Sequence, residues 1–279
     1  LLPVALLLLV PAQALPAETS FSFEEEVQSW GTFMEGESRD EMNQEADIKF
    51  QSSTELFPSG DEELDGAGRL EDLRDERIAQ FVSVMIDGSL VALHDVPRTA
   101  WFAPYVREIA ERGIVSGYRD ESGQPTGAFG PADNVTIEQM AKVMLYASGL
   151  DAQSCSGVPL NATASGSWSA QFVACAEKIQ WSVYADGSVD VHRPATRSEV
   201  IATLLQAFKV TPEARTGDTF TDVTLTTLFG ASIEQAKRDG IVSGYTDDDG
   251  TPTNTFGPED PVTRAEFAKI VTLGMQVYK

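Results

Sequence analysis

A chain of 279 residues with 42% apolar side chains has material for one or two ordinary domains and a real core. Its formal net charge of −23 excludes nucleic acid as a partner, because phosphates would be repelled; it suits a solvated exterior and divalent cations outside the cell. Two cysteines and two histidines, His94 and His192, make no cluster with zinc-ligand spacing.

Residues 1–10 are apolar throughout and Ala12-Gln13-Ala14 follows, so residues 1–14 read as a secretory signal with a small-residue cleavage pattern. With no initiator Met and no basic leader, the signal is expected to be truncated at its start. A membrane anchor lacking its front half is the alternative. No Cys lies near the cleavage pattern, so a lipid-modified N-terminus is not expected. Beyond this run, no stretch is apolar enough to span a bilayer.

Residues 15–80 read as a disordered acidic tether, because 17–80 hold 19 Asp and Glu against five Lys and Arg and lack apolar periodicity. Leu70, Leu73, Arg77, Ile78 and Phe81 keep helical spacing and suggest a short helix there. The β-prone runs 81–86 and 89–93 flank Asp87-Gly88, which predicts a hairpin with a tight primed turn. A continuous helix through Ile86 is the competing reading.

Next, Trp101, Tyr105, Ile109 and Ala110 recur at helical steps and Gly113 stops that helix. Ile233, Ala236 and Lys237 precede Gly240 in the same way. Second helices are predicted at 136–148, 196–208 and 263–277, with Met140, Val143, Met144 and Phe267, Ile270, Val271 on their apolar faces. The four aromatics Trp101, Phe102, Trp168 and Trp181 are read as core before sugar-stacking platforms.

A repeat organises these elements. Residues 93–143 return at 220–270 in a constant register of 127, with 22 of 51 positions identical. Gly113-Ile114-Val115-Ser116-Gly117-Tyr118 returns as Gly240-Ile241-Val242-Ser243-Gly244-Tyr245, and Phe129-Gly130-Pro131 as Phe256-Gly257-Pro258. A degenerate copy lies between them: Trp168 follows Trp101 by 67 residues, Tyr184-Ala185-Asp186 echoes Tyr118-Arg119-Asp120, and Thr136, Thr196 and Thr263 are spaced 60 and 67 apart. This sets units at 81–150, 151–211 and 212–279. A unit of about 60 residues is marginal alone, so the three are expected to pool their second helices into one core.

These motifs, with Val262-Thr263-Arg264-Ala265-Glu266-Phe267, resemble the S-layer homology domain over about two thirds of the chain, from near residue 80 to its end. The resemblance implies a mainly α fold of three tandem helix-loop-helix units around a central helical core, here preceded by the hairpin and the tether. It also implies an exported protein at the cell surface, in the cell wall or S-layer, held non-covalently on cell-wall polysaccharide.

Thr196 with Glu199 and Thr263 with Glu266 have the spacing of capping boxes, and Thr136 with Gln139 repeats it in weaker form. Capping does not account for Arg197 and Arg264 at the first helical position, where a cation opposes the helix dipole. An anion held between the guanidinium and the free N–H groups of the helix start would account for them. An ion pair with a carboxylate of the neighbouring unit is the alternative. The resemblance favours the ligand, because this Arg is associated in that family with acidic or pyruvylated wall glycan. Ile137 occupies the position in the first unit, so that groove is expected to be silent.

Cys155 and Cys175, 20 residues apart, are expected to form a disulfide if the chain is exported; two free thiols are the alternative. Asp247-Asp248-Asp249-Gly250 hints at a calcium loop but lacks the full ligand series, so Asp247 and Asp249 read first as a solvated turn and no cofactor is required. Asn134-Val135-Thr136 and Asn161-Ala162-Thr163 fit the glycosylation sequon, a short pattern with a high chance rate.

The sequence therefore points to a wall-anchoring protein that binds peptidoglycan-linked glycan and is not an enzyme. No nucleophile elbow, phosphate loop or zinc motif is present. The alternatives are a self-assembling S-layer or envelope protein contacting other S-layer subunits, and the anchor fragment of a larger surface enzyme.

Overall fold

The computed structural model describes residues 80–155, 157–213, 217 and 219–279. The signal read at 1–14, the short helix near Leu70 and the tether read at 15–80, Gln80 excepted, lie outside the described residues. These contain one two-stranded antiparallel sheet and six α-helices: β1 (Phe81–Ile86), β2 (Ser89–Pro97), α1 (Ala103–Glu111), α2 (Ile137–Ser148), α3 (Ala170–Lys178), α4 (Arg197–Ala207), α5 (Gly230–Arg238) and α6 (Arg264–Tyr278). None of these helices is long and apolar enough to cross a membrane.

The sheet is a hairpin, not a helix continuing through Ile86. Asp87 and Gly88 both take positive φ, 50° and 79°, which gives a primed turn whose twist suits the strands it joins. Val82, Val84 and Ile86 point inward with Leu93 and Val96, while Met85 and Leu90 face out. The hairpin lays its inner face against α1.

Each of α1, α3 and α5 starts without a side-chain cap and ends on a residue with positive φ. Gly113 and Gly240 fill that position after α1 and α5, and Gln180 fills it after α3 at φ 61°. The next residue then donates back across the last turn in all three: Ile114 to Ile109 O, Trp181 to Ala176 O and Ile241 to Ala236 O. The middle copy therefore keeps the turn while losing the glycine.

The helices α2, α4 and α6 each open on a complete capping box, with Thr136, Thr196 and Thr263 at the N-cap and Gln139, Glu199 and Glu266 answering the cap N–H. These three helices pack on one another to form the centre. Around them the contacts run in a cycle, α1 on α6, α3 on α2 and α5 on α4.

Backbone hydrogen bonds close the same cycle just before the helix starts. Val135 N–H donates to Val262 O, Val262 N–H to Ala195 O, and Ala195 N–H to Val135 O, at 2.9, 3.2 and 2.8 Å. A closed triangle of this kind satisfies three buried peptide groups outside the hairpin sheet. It also brings residues 127 apart in sequence side by side.

Candidate functional site

Two cavities open where a repeated loop passes the start of a neighbouring helix. The first, about 310 Å³, lies between Gly113–Gly117 and Arg264 of α6, with Gln139, Lys142 and Tyr146 of α2 and the hairpin turn completing its wall. The second, about 210 Å³, lies between Ile241–Tyr245 and Arg197 of α4, with Glu266, Lys269 and Ile270 of α6 and Trp101. A shift of 127 residues maps Gln139, Lys142 and Val143 onto Glu266, Lys269 and Ile270, so the two cavities are built from corresponding parts.

Both arginines are held in the same way. Arg264 is 6% exposed; its Nε donates to Phe129 O at 2.7 Å, and its guanidinium lies 5.0 and 4.7 Å from the ring centres of Tyr118 and Phe129. Arg197, also 6% exposed, donates from Nε to Phe256 O at 2.8 Å and lies 4.6 and 4.8 Å from Tyr245 and Phe256. A planar cation between two ring faces is attracted to both and cannot turn. Each arginine thus ties the start of one helix to the loop of another unit.

A shared framework fixes the rings. Tyr118 donates to Asp133 Oδ2 at 2.5 Å and Tyr245 to Asp260 Oδ2 at 3.0 Å. Burial, reinforced by these hydrogen bonds against the pull of the arginine, holds the Tyr118 phenol well above its ordinary value and pushes Tyr245 up to about 12. Both phenols therefore remain donors. Asp95 and Asp222 accept from the N–H groups of Phe129-Gly130 and Phe256-Gly257. A Cβ at Gly130 or Gly257 would collide with the adjacent aspartate and tyrosine, which is why glycine stands there.

This geometry corrects two expectations. The helix starts offer no free N–H groups to an anion, because the neighbouring units take them: Arg264 and Ala265 donate to Asp133 O and Pro131 O, and Arg197 and Ser198 to Asp260 O and Pro258 O. With the Thr caps serving the third position, the positive end of each helix is already answered by protein. Second, Trp101 is not core. It is 55% exposed, precedes α1, and faces the second cavity with Lys269 Nζ 5.8 Å from its ring centre. Trp181 is buried, and Phe102 and Trp168 are partly buried against the core.

Glu266 does two jobs, since Oε2 completes the cap while Oε1 lies 3.2 Å from Arg197 Nη1. Glu199 caps α4 and pairs instead with Arg193 at 2.5 Å, outside both cavities. Cys155 and Cys175 are joined as a disulfide that staples the 3-10 turn Ala152–Cys155 to α3. Asp247 spends its carboxylate on the N–H groups of Asp249 and Thr251, just as Asp120 does on those of Ser122 and Gln124. Among the described residues no group of three or more His, Cys, Asp or Glu is arranged to hold a metal ion. Asn161 is 1% exposed and donates to Val189 O, so its side chain is structural.

The third corner of the cycle has neither cation. Ile137 stands where the others have arginine, and Ala202 where they have Lys142 and Lys269. Tyr184, fully buried, reaches across and donates to Ile137 O at 2.7 Å, closing the corner with a neutral contact.

The lysines were missed by sequence reasoning, although Ala141-Lys142 and Ala268-Lys269 are among the repeated identities and each lysine sits six residues beyond its N-cap. Lys142 rests 5.5 Å from the ring of Trp168 and 5.7 Å from that of Phe172, and burial lowers its ammonium to about 8. The S-layer homology domain model matches residues 92–141 and 219–268. No curated protein matches the chain.

Proposed function

From a chain that carries S-layer homology domains at 92–141 and 219–268, we propose an exported wall-anchoring protein that grips acidic or pyruvylated polysaccharide in two grooves, headed by Arg197 and Arg264. Domains of this family hold proteins at the cell surface on wall polysaccharide in general. Residues 151–211 serve as a third, degenerate unit that completes the ring and leaves its own corner silent. The protein acts by binding and not by turnover.

The observation that carries the reading is the recurrence of one construction: an arginine clamped between two rings, a lysine from another central helix, and a cavity in front of them. In a chain of net charge −23, two cavities lined by both arginine and lysine support an anionic polymer as the ligand. Immobilised guanidinium groups recognise carboxylates at little entropic cost.

Sedimentation with purified wall sacculi tests this, using intact sacculi beside acid-stripped ones. The Arg197→Ala/Arg264→Ala double variant is expected to lose at least tenfold in binding, each contact being worth about 1.5–3 kcal/mol. Because both arginines also tie units together, Lys142→Met/Lys269→Met provides a second route that spares those ties, and it is expected to weaken binding in the same direction. Wild-type sedimentation by both folded variants would place the binding surface elsewhere.

A further inference from the structure

The second cavity is assembled from distant parts of the chain. Arg197 comes from α4 and Lys269 from α6, the stretch Ile241–Tyr245 follows α5, and Trp101 completes the wall from the turn ahead of α1. Ile241 and Ile270 give the lining its apolar part, while Arg197, Lys269 and Glu266 give it charge. Only an edge of Arg197 can meet a ligand. Its side chain is 8% exposed, Nε donates to Phe256 O, and Nη1 lies 3.2 Å from Glu266 Oε1. A charge enclosed in this way attracts an anion but leaves the reading of shape to the rest of the wall.

Trp101 is the largest side chain of that lining, and it is 55% exposed. Leaving so much aromatic surface in water forgoes the gain from burial. The residue is nevertheless held from both sides. Ala100 N–H donates to Pro97 O and Ala103 N–H to Ala100 O, while Arg98 ties the same turn to β1 through Nε and Phe81 O. Phe102, packed against the core, meets the indole edge-on with ring centres 5.5 Å apart. A platform fixed beforehand costs an incoming ligand little ordering entropy.

Lys269 Nζ lies 5.8 Å from the indole centre, at the outer range of attraction between a cation and a ring face. A ligand can therefore take the ring and keep the ammonium as a partner for its own oxygens. The ligand that uses the whole wall has a flat C–H face beside an anionic group. A pyranose bearing a carboxylate has both: its axial C–H groups suit the indole, and its carboxylate suits Arg197 and Lys269. A polyol phosphate has the charge without the flat face.

We infer that Trp101 is the sugar platform of the Arg197 groove and makes that groove specific for a pyranose-borne carboxylate over a polyol phosphate. This rests on the reading that the groove binds wall glycan. The turn ahead of α1 supplies the ring, and α4 and α6 supply the charge.

The test titrates the full chain with methyl β-glucuronide and with glycerol 3-phosphate. Backbone amide shifts of Ser243 and Gly244 report on the groove, and the indole N–H of Trp101 reports on the platform. The wild type is expected to bind the glucuronide about tenfold more tightly than the phosphate, with the indole signal saturating together with the amides. Trp101→Ala should abolish the preference by weakening the glucuronide alone, and Trp101→Phe, which keeps a ring, should restore most of it. Thermal melts check that both variants are folded, and the wild-type indole titration stands without them.

Equal affinity for the two ligands in the wild type, or an indole signal that stays in place while the amides move, overturns the platform. So does a folded Trp101→Ala that keeps the preference, or one that weakens both ligands alike, as a merely structural role would. If the arginine double variant still loses sacculus binding in any of these cases, only the platform has failed and the wall-binding reading stands. Absence of any shift with either ligand also overturns the platform, and the sacculus assay then decides separately on wall binding.

Discussion

The three corners of the ring share a scaffold and part company in chemistry. At two corners an arginine crosses from a helix start to the carbonyl of a neighbouring phenylalanine, and a lysine from another of the central helices faces the same cavity. At the third, Ile137 and Ala202 replace the cations, and Tyr184 makes the crossing hydrogen bond from the opposite side. All three corners nevertheless keep their capping box, their positive-φ helix stop and their place in the triangle of backbone bonds. The fold therefore needs a tie at each corner but not a charged one. The tie at the other two corners does not require a positive charge, which is an argument that the charge there serves something else.

The largest expected effect tests the closed corner's dependence on its staple. Replacing Cys155 and Cys175 with Ser frees a loop of about 20 residues, and loop-closure entropy puts the loss at about 3 kcal/mol. Calorimetry should show the melting temperature falling by several degrees, with sacculus binding unchanged below the transition. A comparable or slightly smaller loss, about 2–3 kcal/mol, is expected for Ile137→Ala, which empties a fully buried site. Its sacculus binding should match the wild type. Reduced binding in the folded protein would mean that the third corner is not silent.

Lys142→Met sharpens the contrast between open and closed corners. Burial takes the Lys142 ammonium from its ordinary 10.5 to about 8, so between those values the folded chain binds fewer protons than the unfolded one. Wild-type stability therefore carries the full penalty below about pH 8 and sheds it as pH climbs toward 10.5. The variant should be more stable than wild type at pH 7, by about 1–2 kcal/mol after loss of the contacts with Trp168 and Phe172, and this advantage should vanish at high pH. Thermal melts of both proteins from pH 7 to 10 measure the difference directly. The smallest effect belongs to Gln180→Gly. A non-glycine residue held at φ 61° is strained, and glycine there should gain about 0.5 kcal/mol in chemical denaturation, bringing the middle helix stop into line with the other two.

Local patterns made much of the fold legible. The hairpin follows from Asp87-Gly88 between β-branched runs, and the starts of α2, α4 and α6 follow from Thr with an acid or amide three residues on. These features are decided within four to twelve residues. What escaped was decided between units. No local signal says that the N–H groups of Arg264 and Ala265 find the carbonyls of Asp133 and Pro131, or that Arg264 lies between Tyr118 and Phe129. Trp101 was read as core because aromatic spacing carries no sign of which face a helix turns inward. Gln180 was invisible as a helix stop because its residue type gives no hint of positive φ. The difference between Gln139 and Glu266 was plain in the aligned repeats, but it acquires meaning only once Arg197 is found beside Glu266.

The triangle of hydrogen bonds also sets a schedule. Arg264 meets a loop laid down about 150 residues earlier, and Arg197 faces side chains up to Ile270. Neither cavity exists until the last helix has joined the ring, so a partly synthesised chain has neither of the proposed grooves. On the proposed wall-binding reading, adhesion is thereby postponed to the moment of completion.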